Sequence, residues 1–445
     1  MPRQHLSREH ALKSAQDNHV LFVNLQFTDI VGQVKSVTVP TAHLENAFDS
    51  GVWFDGSSIE GFTRISESDM FLRPDPDTYA IIPWQSNEHQ TARLICDVYT
   101  PDGELFVGAP RTALRLALEE AAALGYELRA GPELEFFLFE RDAAGNPAPG
   151  KTHDQASYFD ATADRGTLVR QDMTTALQAF GIDVETAHHE AAVGQHEIDF
   201  RYDNALVAAD NAVTFKYVLK AMAAQHGIYA TFMPKPIRGI AGSGMHVHQS
   251  LADIRTGENL FADSTDPYGL STLAKQFMAG QIRHARGMTA ILAPLVNSYK
   301  RLVAGYEAPV YVSWARINRS ALIRVPRFPS AETTRIELRC ADPSCNPYLA
   351  FSVMLKAGLA GIREGLSLPP ATEENLYASE QARQGLPTLP GSLEEAMHAL
   401  EGDVLIQEAL GPHIYERFMD AKQQEWDDYR LDVSRWELDR YLGRF

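Results

Sequence analysis

Short alternations of apolar and polar residues dominate the first hundred positions of the chain. They are typical of β-strands, and Gly, Pro and Asp residues separate them. The strand-like runs are VLFVNLQFTDI (20–30), VKSVTVP (34–40), YAIIPW (79–84) and ARLICDVYT (92–100). The TPDG turn at 100–103 closes this pattern, so we expect a small strand-rich domain at residues 1–105.

Longer segments with helical periodicity follow residue 105 and alternate irregularly with short strands. The predicted helices are 111–124, 211–225, 270–291, 347–364 and 412–429. This pattern predicts an α+β protein, in which a large mixed domain at 106–445 follows the small one.

Several predicted strands of the larger domain repeat ionisable residues on one face. In GPELEFF (131–137), period two places Glu133 and Glu135 on the same side of the strand. A single strand of this kind is usually explained by one face that is exposed to solvent. Four such strands in one domain instead indicate a sheet whose concave face is a funnel lined with ionisable side chains. The other three are HEIDF (196–200), MHVHQS (245–250) and RIELR (335–339).

The residue types on these strands indicate the chemistry. Like charges two residues apart repel unless a cation or an arginine neutralises them. Carboxylates with histidine and no clustered cysteine favour Mg²⁺ or Mn²⁺ over zinc. The arginines between 316 and 339 offer donors for phosphate or carboxylate. Together these features favour phosphoryl transfer, although neither a Walker A motif nor a kinase motif is present.

Composition narrows the possible partners and the compartment. Among 445 residues, 40 Lys and Arg stand against 58 Asp and Glu, a formal charge of −18. This balance argues against nucleic-acid or anionic-membrane partners. Three cysteines without a CxxC pair, a polar N-terminal segment and no apolar run of about 18 residues predict a cytoplasmic protein without a membrane span.

Eight segments, taken in order along the chain, resemble class I glutamine synthetase. Each is moderately specific alone, and their common order is highly specific. They are FDGSSIEGF (54–62), GPELEFFLF (131–139), HHEAAVGQHEIDF (188–200), GSGMHVHQSL (242–251), NSYKRLVAGYEAP (297–309), NRSALIRVP (318–326), RIELR (335–339) and NPYLAF (346–351).

The resemblance implies a fold, an assembly and a reaction. The fold is a β-grasp-like N-terminal domain followed by a catalytic domain whose antiparallel sheet forms an open funnel flanked by helices. The assembly is a dodecamer of two hexameric rings with active sites between subunits, with nitrogen-regulatory proteins as further partners. The reaction joins ammonia to the γ-carboxylate of glutamate through γ-glutamyl phosphate and consumes ATP.

The resemblance also implies two or three Mg²⁺ or Mn²⁺ ions per active site. Glu135, Glu190 and Glu197 resemble the ligands of one metal ion. A second metal ion bridges to the ATP phosphates in the family, and its ligands correspond to Glu133, His246 and Glu337.

The remaining site residues follow from the same resemblance. Arg301 and Arg339, with Gly242 and His246, resemble the glutamate site. The residues that resemble the ATP site are Arg319, Arg324, Arg335, Glu185, His248 and Ser250, with Arg319 also stabilising the transferred phosphoryl group.

The acceptor site has its own set of residues. Asp55 and Ser58 match the ammonium-binding loop that a neighbouring subunit contributes, and Asp55 is suited to accept a proton from ammonium. Glu307 resembles the carboxylate of a flap that covers the acyl phosphate and excludes water.

Some positions depart from the family pattern. Ala241 replaces a usual Asn in the glutamate loop, and Ala304 replaces a usual Pro before the flap. The segment around Tyr377 lacks the acidic, Pro-rich stretch of the adenylylated subtype, so we predict the shorter subtype without adenylylation. Feedback control by glutamine through Arg64 is a further hypothesis.

Two alternatives stay open at this point. A γ-glutamyl-amine ligase keeps the metal and ATP residues but uses an organic amine, and the presence of Asp55 and Ser58 favours ammonia. A non-catalytic scaffold or regulatory relative is free to lose ligands, whereas all six predicted metal ligands are present.

Overall fold

The computed structural model describes residues 6–59, 61, 69–85, 87–306, 308–374, 376 and 378–445. Glu307, Arg64 and Tyr377 lie outside these residues. The side chain of Ser58 is also outside the description.

The N-terminal unit is built on a sheet with strand order β2-β1-β6-β4-β3, and β5 pairs with β6. β1 and β6 run parallel, and the other pairs are antiparallel. Its two helices and the inward side chains of the strands enclose an apolar core. The elements are α1 (Arg8–Asp17), β1 (Phe22–Thr28), β2 (Val34–Pro40), α2 (Leu44–Ser50), β3 (Val52–Asp55), β4 (Asp69–Pro74), β5 (Ala80–Ile81) and β6 (Thr91–Tyr99).

The larger unit is built on a ten-stranded sheet that is antiparallel except for its β14–β15 pair. Its main strand order is β14-β15-β16-β13-β7-β10-β9, and the long strand β7 also pairs with β8, β11 and β12. The strands are β7 (Tyr126–Arg141), β8 (Pro147–Thr152), β9 (Val184–His189), β10 (Gln195–Phe200), β11 (Asp203–Asn204), β12 (Tyr229–Thr231), β13 (Met245–Asp253), β14 (Tyr311–Ala315), β15 (Ala321–Arg324) and β16 (Ile336–Leu338).

Helices cover one face of this sheet and leave the other face for polar residues. Leu134, Ile198, Val247 and Leu338 point into the helical core and are fully buried. The helices are α3 (Pro110–Ala123), α4 (Thr167–Ala179), α5 (Ala205–Gln225), α6 (Thr272–Arg283), α7 (Ala285–Leu292), α8 (Ser298–Arg301), α9 (Pro347–Arg363), α10 (Glu380–Arg383), α11 (Leu393–Glu401), α12 (Val404–Leu410), α13 (Pro412–Leu431) and α14 (Arg435–Tyr441).

The predicted fold, a small β-grasp-like unit followed by a helix-flanked sheet, is confirmed. The division at residue 105 stays a prediction. In the described part of the chain, no helix has both the length and the apolar composition that crossing a membrane requires.

The predicted helix at 270–291 is wrong as a single element, because α6 ends at Arg283 and α7 begins at Ala285. His284 interrupts it with a φ of −98° and a ψ of 8°. Its ring Nδ1 lies 3.0 and 2.8 Å from the two carboxylate oxygens of Asp403. A contact 119 residues away in sequence therefore accompanies the break.

Candidate active site

Strand register brings the ionisable residues of the polar face together. Glu197 on β10 lies opposite Glu135 on β7. On the other side of β7, Glu133 lies opposite His246 of β13. The sheet thus assembles one row of ionisable side chains from strands that are far apart in sequence.

The Glu337 cluster (Glu133, His248 and Glu337) is the first group that could hold a metal ion, since its ligand atoms all lie within 4.8 Å of one another. His248 Nε2 lies 2.7 Å from Glu133 Oε1. The predicted ligand His246 is adjacent, with Nδ1 at 3.5 Å from Glu133 Oε2 and 3.7 Å from Glu337 Oε1. His248, predicted for the nucleotide, therefore lies closer to Glu133 than His246 does.

The Glu190 cluster (His188, Glu190 and Glu197) is the second such group. His188 bridges it, with Nδ1 3.5 Å from Glu190 Oε1 and Nε2 3.4 Å from Glu197 Oε2. Glu135, predicted for this set, lies on the neighbouring strand. Its Oε2 accepts hydrogen bonds from Gln195 Nε2 at 2.8 Å and the Gly244 amide at 2.9 Å.

The electrostatics of these carboxylates fit a cation. Burial, followed by repulsion from Glu190, raises the pKa of Glu135 to about 8. Burial and neighbouring carboxylates, Asp199 first, raise the pKa of Glu197 well above its usual value. Glu197 Oε1 is buried and has no hydrogen-bond partner. Crowded carboxylates with an unpaired oxygen match the oxygen-rich donor set that Mg²⁺ and Mn²⁺ prefer.

Three predicted arginines lie against the Glu337 cluster. Arg339 Nη1 donates to Glu337 Oε1 at 2.6 Å, and Arg324 Nε lies 2.5 Å from Glu337 Oε2. Arg335 Nε donates to His248 Nδ1 at 3.2 Å. Arg319 is instead exposed on the segment between β14 and β15. Guanidinium groups beside carboxylates that could hold a metal ion are suited to anionic substrates.

Arg301 lies under the glycine loop (239–244) and is almost completely buried. Its guanidinium donates to the carbonyls of Arg339, Cys340 and Ala341 at 3.0–3.1 Å. A Cβ on Gly244 would stand 2.6 Å from Arg301 Nη2, so glycine permits this close approach. The loop is held as well by Gln195, whose Nε2 donates to the Gly242 carbonyl at 3.3 Å.

A cavity of about 320 Å³ opens beside the Glu337 cluster. It is lined by four of the residues predicted for the nucleotide, Glu185, His248, Ser250 and Arg335. A larger cavity of about 720 Å³ lies between α5 and α13, and no predicted site residue lines it.

The sequence interpretation missed Gln195 as a site residue and did not assign Asp199 a role. Gln195 connects Glu135 to the glycine loop through two hydrogen bonds. Asp199 lines the cavity and accepts a hydrogen bond from Thr186 Oγ1 at 2.5 Å. The signal was available, because period two from Glu197 places Gln195 and Asp199 on the same face of β10.

The remaining predicted residues lie elsewhere. Asp55 is at the end of β3 in the N-terminal sheet, exposed, and accepts from Ser57 N and Oγ at 2.9 and 2.6 Å. The Ser57 hydroxyl and amide lower the pKa of Asp55. Ala241 packs with the small apolar cluster around Phe137 and Phe139, and Ala304 is exposed.

A curved sheet that presents carboxylate and histidine clusters beside arginines and a cavity defines a class: enzymes that use divalent metals on anionic substrates. Comparison with known proteins makes this specific. Residues 19–101 match the family model "Glutamine synthetase, beta-Grasp domain", and residues 107–441 match "Glutamine synthetase, catalytic domain". The chain belongs to the glutamine synthetase family.

Relatives match over nearly their whole lengths. The chain is 53% identical to the glutamine synthetase of Thermus thermophilus over 98% of both chains. It is 51% identical to that of Clostridium saccharobutylicum over 99% of both. Its length of 445 residues fits the shorter subtype without the adenylylation segment.

Solved structures share the fold of this chain. Two of them, described as "GmaS/ADP complex-Conformation 1" and "Apo GmaS without ligand", superpose with TM-scores of 0.87 and 0.88. They are 32% and 33% identical to this chain, and each comparison covers 97% of this chain and 99% of the other.

Proposed function

We propose that this protein joins ammonia to the γ-carboxylate of L-glutamate and consumes ATP, yielding glutamine, ADP and phosphate through γ-glutamyl phosphate. The observation that carries the proposal is the meeting of both carboxylate–histidine clusters with Arg324, Arg335 and Arg339 on one face of the sheet. Relatives about half identical over the full length are glutamine synthetases, which supports the same reaction.

In this proposal one divalent cation binds at each cluster, and the ligands include neighbours of the cluster residues. Glu135, Glu190 and Glu197 hold one, with His188 close by, and Glu133, His246 and Glu337 hold the other, with His248 close by. Bound Mg²⁺ or Mn²⁺ neutralises the phosphate oxygens and so lowers the barrier to phosphoryl transfer. The raised pKa values of Glu135 and Glu197 support this assignment, since crowded carboxylates lack a counter-ion.

ATP occupies the 320 Å³ cavity and its opening toward the Glu337 cluster. Arg335 and Arg324 are placed to contact phosphate, and Glu185, His248 and Ser250 line the base and ribose side. Arg319 reaches in from its exposed segment to stabilise the transferred group. A relative solved as an ADP complex supports a nucleotide site in this fold.

Glutamate binds between the glycine loop and the arginines. Arg339 is suited to its carboxylate because Arg339 Nε is buried and has no hydrogen-bond partner. Arg301 donates hydrogen bonds to the carbonyls of residues 339–341, which fixes this backbone, and it supplies positive charge. Gly242 and His246 line the opposite side of the glutamate site.

The ammonium site is completed by a neighbouring copy of the chain. Asp55 ends β3 of the N-terminal sheet and Ser58 follows it, whereas the metal ligands lie on the ten-stranded sheet or directly beside it. We assign Asp55 of the neighbour as the acceptor of a proton from ammonium, and Glu307 as the flap carboxylate. The assembly is then a ring-based dodecamer, which light scattering of the purified protein tests.

The proposed function is tested by asking which amine the enzyme accepts as the second substrate. Phosphate release that depends on glutamate and ATP is measured with ammonium, methylamine, ethanolamine and polyamines, and the amide product is identified by mass spectrometry. The proposal expects strong turnover with ammonium. Turnover with an organic amine and none with ammonium would instead identify a γ-glutamyl-amine ligase.

A further inference from the structure

A buried polar network lies behind the Glu190 cluster, on the helix side of the sheet. Its centre is His189 on β9 and His196 on β10, which face each other in register. Asp154 joins them from the segment after β8, and all three residues are at most 3% exposed. Polar side chains buried this deeply are normally held by hydrogen bonds.

His189 is bonded at both ring nitrogens. Nε2 lies 2.9 Å from Asp154 Oδ1, and Nδ1 lies 2.6 Å from the backbone carbonyl of Glu190. Both partners are acceptors, so both ring nitrogens donate. His189 therefore connects a buried carboxylate to the backbone of a residue in the Glu190 cluster.

Asp154 holds the other end of the same turn. Its Oδ1 also accepts from the Gly194 amide at 3.2 Å. Gly194 has a φ of +67°, and a Cβ there would stand 2.7 Å from Thr152 Cβ. The turn between β9 and β10 is thus fixed at Glu190 and at Gly194 by one pair of side chains.

The same trio does not have the hydrogen-bonding state of a metal site. His196 Nδ1 faces the Arg170 guanidinium, with Nη1 at 2.8 Å, so Nδ1 accepts and Nε2 carries the proton. Arg170 is in turn paired with Asp164. A protonated Nε2 on His196 and a donating Nε2 on His189 leave Asp154 as the only ligand. His189 and Asp154 therefore form a hydrogen-bonded pair, and His196 Nε2 lies beside it, 4.0 Å from Asp154 Oδ2.

We propose that His189 and Asp154 are positioning residues for Glu190. They fix the carbonyl of Glu190 and the amide of Gly194, which keeps the Glu190 carboxylate beside His188 and Glu197. The inference rests on the proposed cation site at the Glu190 cluster. Partners that orient metal ligands typically contribute about 10- to 100-fold in metal affinity.

Two substitutions test the two hydrogen bonds of His189 one at a time. In His189→Asn, the amide can replace the Nδ1 donor and keep the bond to the Glu190 carbonyl. In His189→Gln, the longer amide can replace Nε2 and keep the bond to Asp154. Binding of Mn²⁺ to the protein without substrates is followed by the electron paramagnetic resonance signal of free Mn²⁺.

The expected result is a loss of Mn²⁺ affinity of about 10-fold or more in His189→Gln and a clearly smaller loss in His189→Asn. Wild-type affinity in His189→Gln, or equal losses in both variants, would overturn the proposal. If His189→Gln does not fold, Asp154→Ala takes its place, because it removes the oxygen that accepts from His189 Nε2 and from the Gly194 amide. A loss of similar size is expected, and an unchanged affinity would overturn the proposal.

Controls separate this effect from instability and from a failure of the proposed reaction. Val218→Ala removes a fully buried side chain of α5 and should lower thermal stability without changing Mn²⁺ affinity. Because binding is measured without turnover, a wild-type protein that binds Mn²⁺ but makes no glutamine would refute only the proposed reaction. Normal glutamine synthesis with an unaffected His189→Gln would refute only the positioning role.

Discussion

Two glutamates that are two positions apart on β7 have opposite electrostatic environments. Burial raises the pKa of Glu135 to about 8, and Glu190 adds to this effect. Burial acts on Glu133 too, but His248 and His246 outweigh it and hold the pKa of Glu133 well below its usual value. In the metal-free protein at neutral pH, Glu135 therefore keeps a proton that Glu133 has lost.

Cation binding should accordingly release a proton. Below about pH 8 a metal ion must displace the proton of Glu135, so metal affinity should rise with pH through this range. Titration calorimetry at pH 7 in two buffers of different ionisation enthalpy measures the protons released. Glu135→Gln should remove this contribution, and no buffer dependence in the wild type would contradict the assignment.

The same shift affects the stability of the metal-free protein. A carboxyl whose folded pKa is raised binds its proton more tightly in the folded state. This contribution is fully present below the unfolded pKa of about 4.3 and is lost as the pH rises toward 8. Added Mg²⁺ should reduce this decline, which thermal melts across the pH range can follow.

Glu337 is the acid on which the arginine contacts converge. Glu337→Gln keeps its shape but removes the charge between Arg324 and Arg339. We expect turnover to fall by about a hundredfold or more, since loss of several kcal/mol of charge stabilisation corresponds to that factor. Initial rates at saturating Mg²⁺ measure it, with circular dichroism confirming the fold, and near-normal rates would exclude Glu337 as a ligand.

At the scale of elements, the turn between β9 and β10 connects structure to the site. β10 carries Gln195, Glu197 and Asp199 on its polar face, and β9 ends one residue before Glu190. The turn therefore determines how far the Glu190 carboxylate lies from Glu197. Gly194 in this turn has a positive φ, so adding a single methyl group at this position should disturb the turn.

Gly194→Ala should destabilise the protein by more than a matched glycine substitution. Positive φ alone costs about 1–2 kcal/mol with a side chain, and the contact with Thr152 adds about 1–3 kcal/mol of overpacking. Gly181→Ala is the control, since its φ is +75° and a Cβ there would meet nothing within 4 Å. Chemical denaturation compares the two, and equal effects would contradict the packing argument.

At the scale of the whole molecule, a buried arginine joins the two units. Arg111 on α3 contacts Asp75 and Asp97 of the N-terminal unit at 2.7 and 2.6 Å and Asp210 on α5 at 2.8 Å. Tyr348 Oη donates to Asp210 at 2.7 Å. Because Asp55 belongs to the N-terminal unit, this junction also determines where the proposed ammonium loop is presented.

Arg111→Met should loosen this junction, because Asp210 loses its arginine, while Asp75 and Asp97 keep only Arg115. Breaking a buried ion network in this way costs about 3–5 kcal/mol. Arg363→Met removes an exposed arginine paired with Glu120 and should cost about 1 kcal/mol or less. Limited proteolysis between residues 100 and 110 should accelerate only in Arg111→Met, and equal rates in both variants would contradict this role.

The sequence by itself determined which residues face the funnel, because period two fixes the side of a strand on which a side chain lies. It also determined the family, through eight segments in a fixed order, and with it the α+β fold. The helix at 347–364 was predicted to within one residue of α9, because caps and composition are local signals.

Only the tertiary structure decided which ionisable groups meet. Periodicity does not state which strands are neighbours, so the approach of His248 to Glu133, which are 115 residues apart, depends on pairing between distant strands. The break at His284 and the frame of His189 and Asp154 likewise come from long-range contacts. Local pattern determines the face of an element, whereas the register of the sheet and the packing of the helices determine its neighbours.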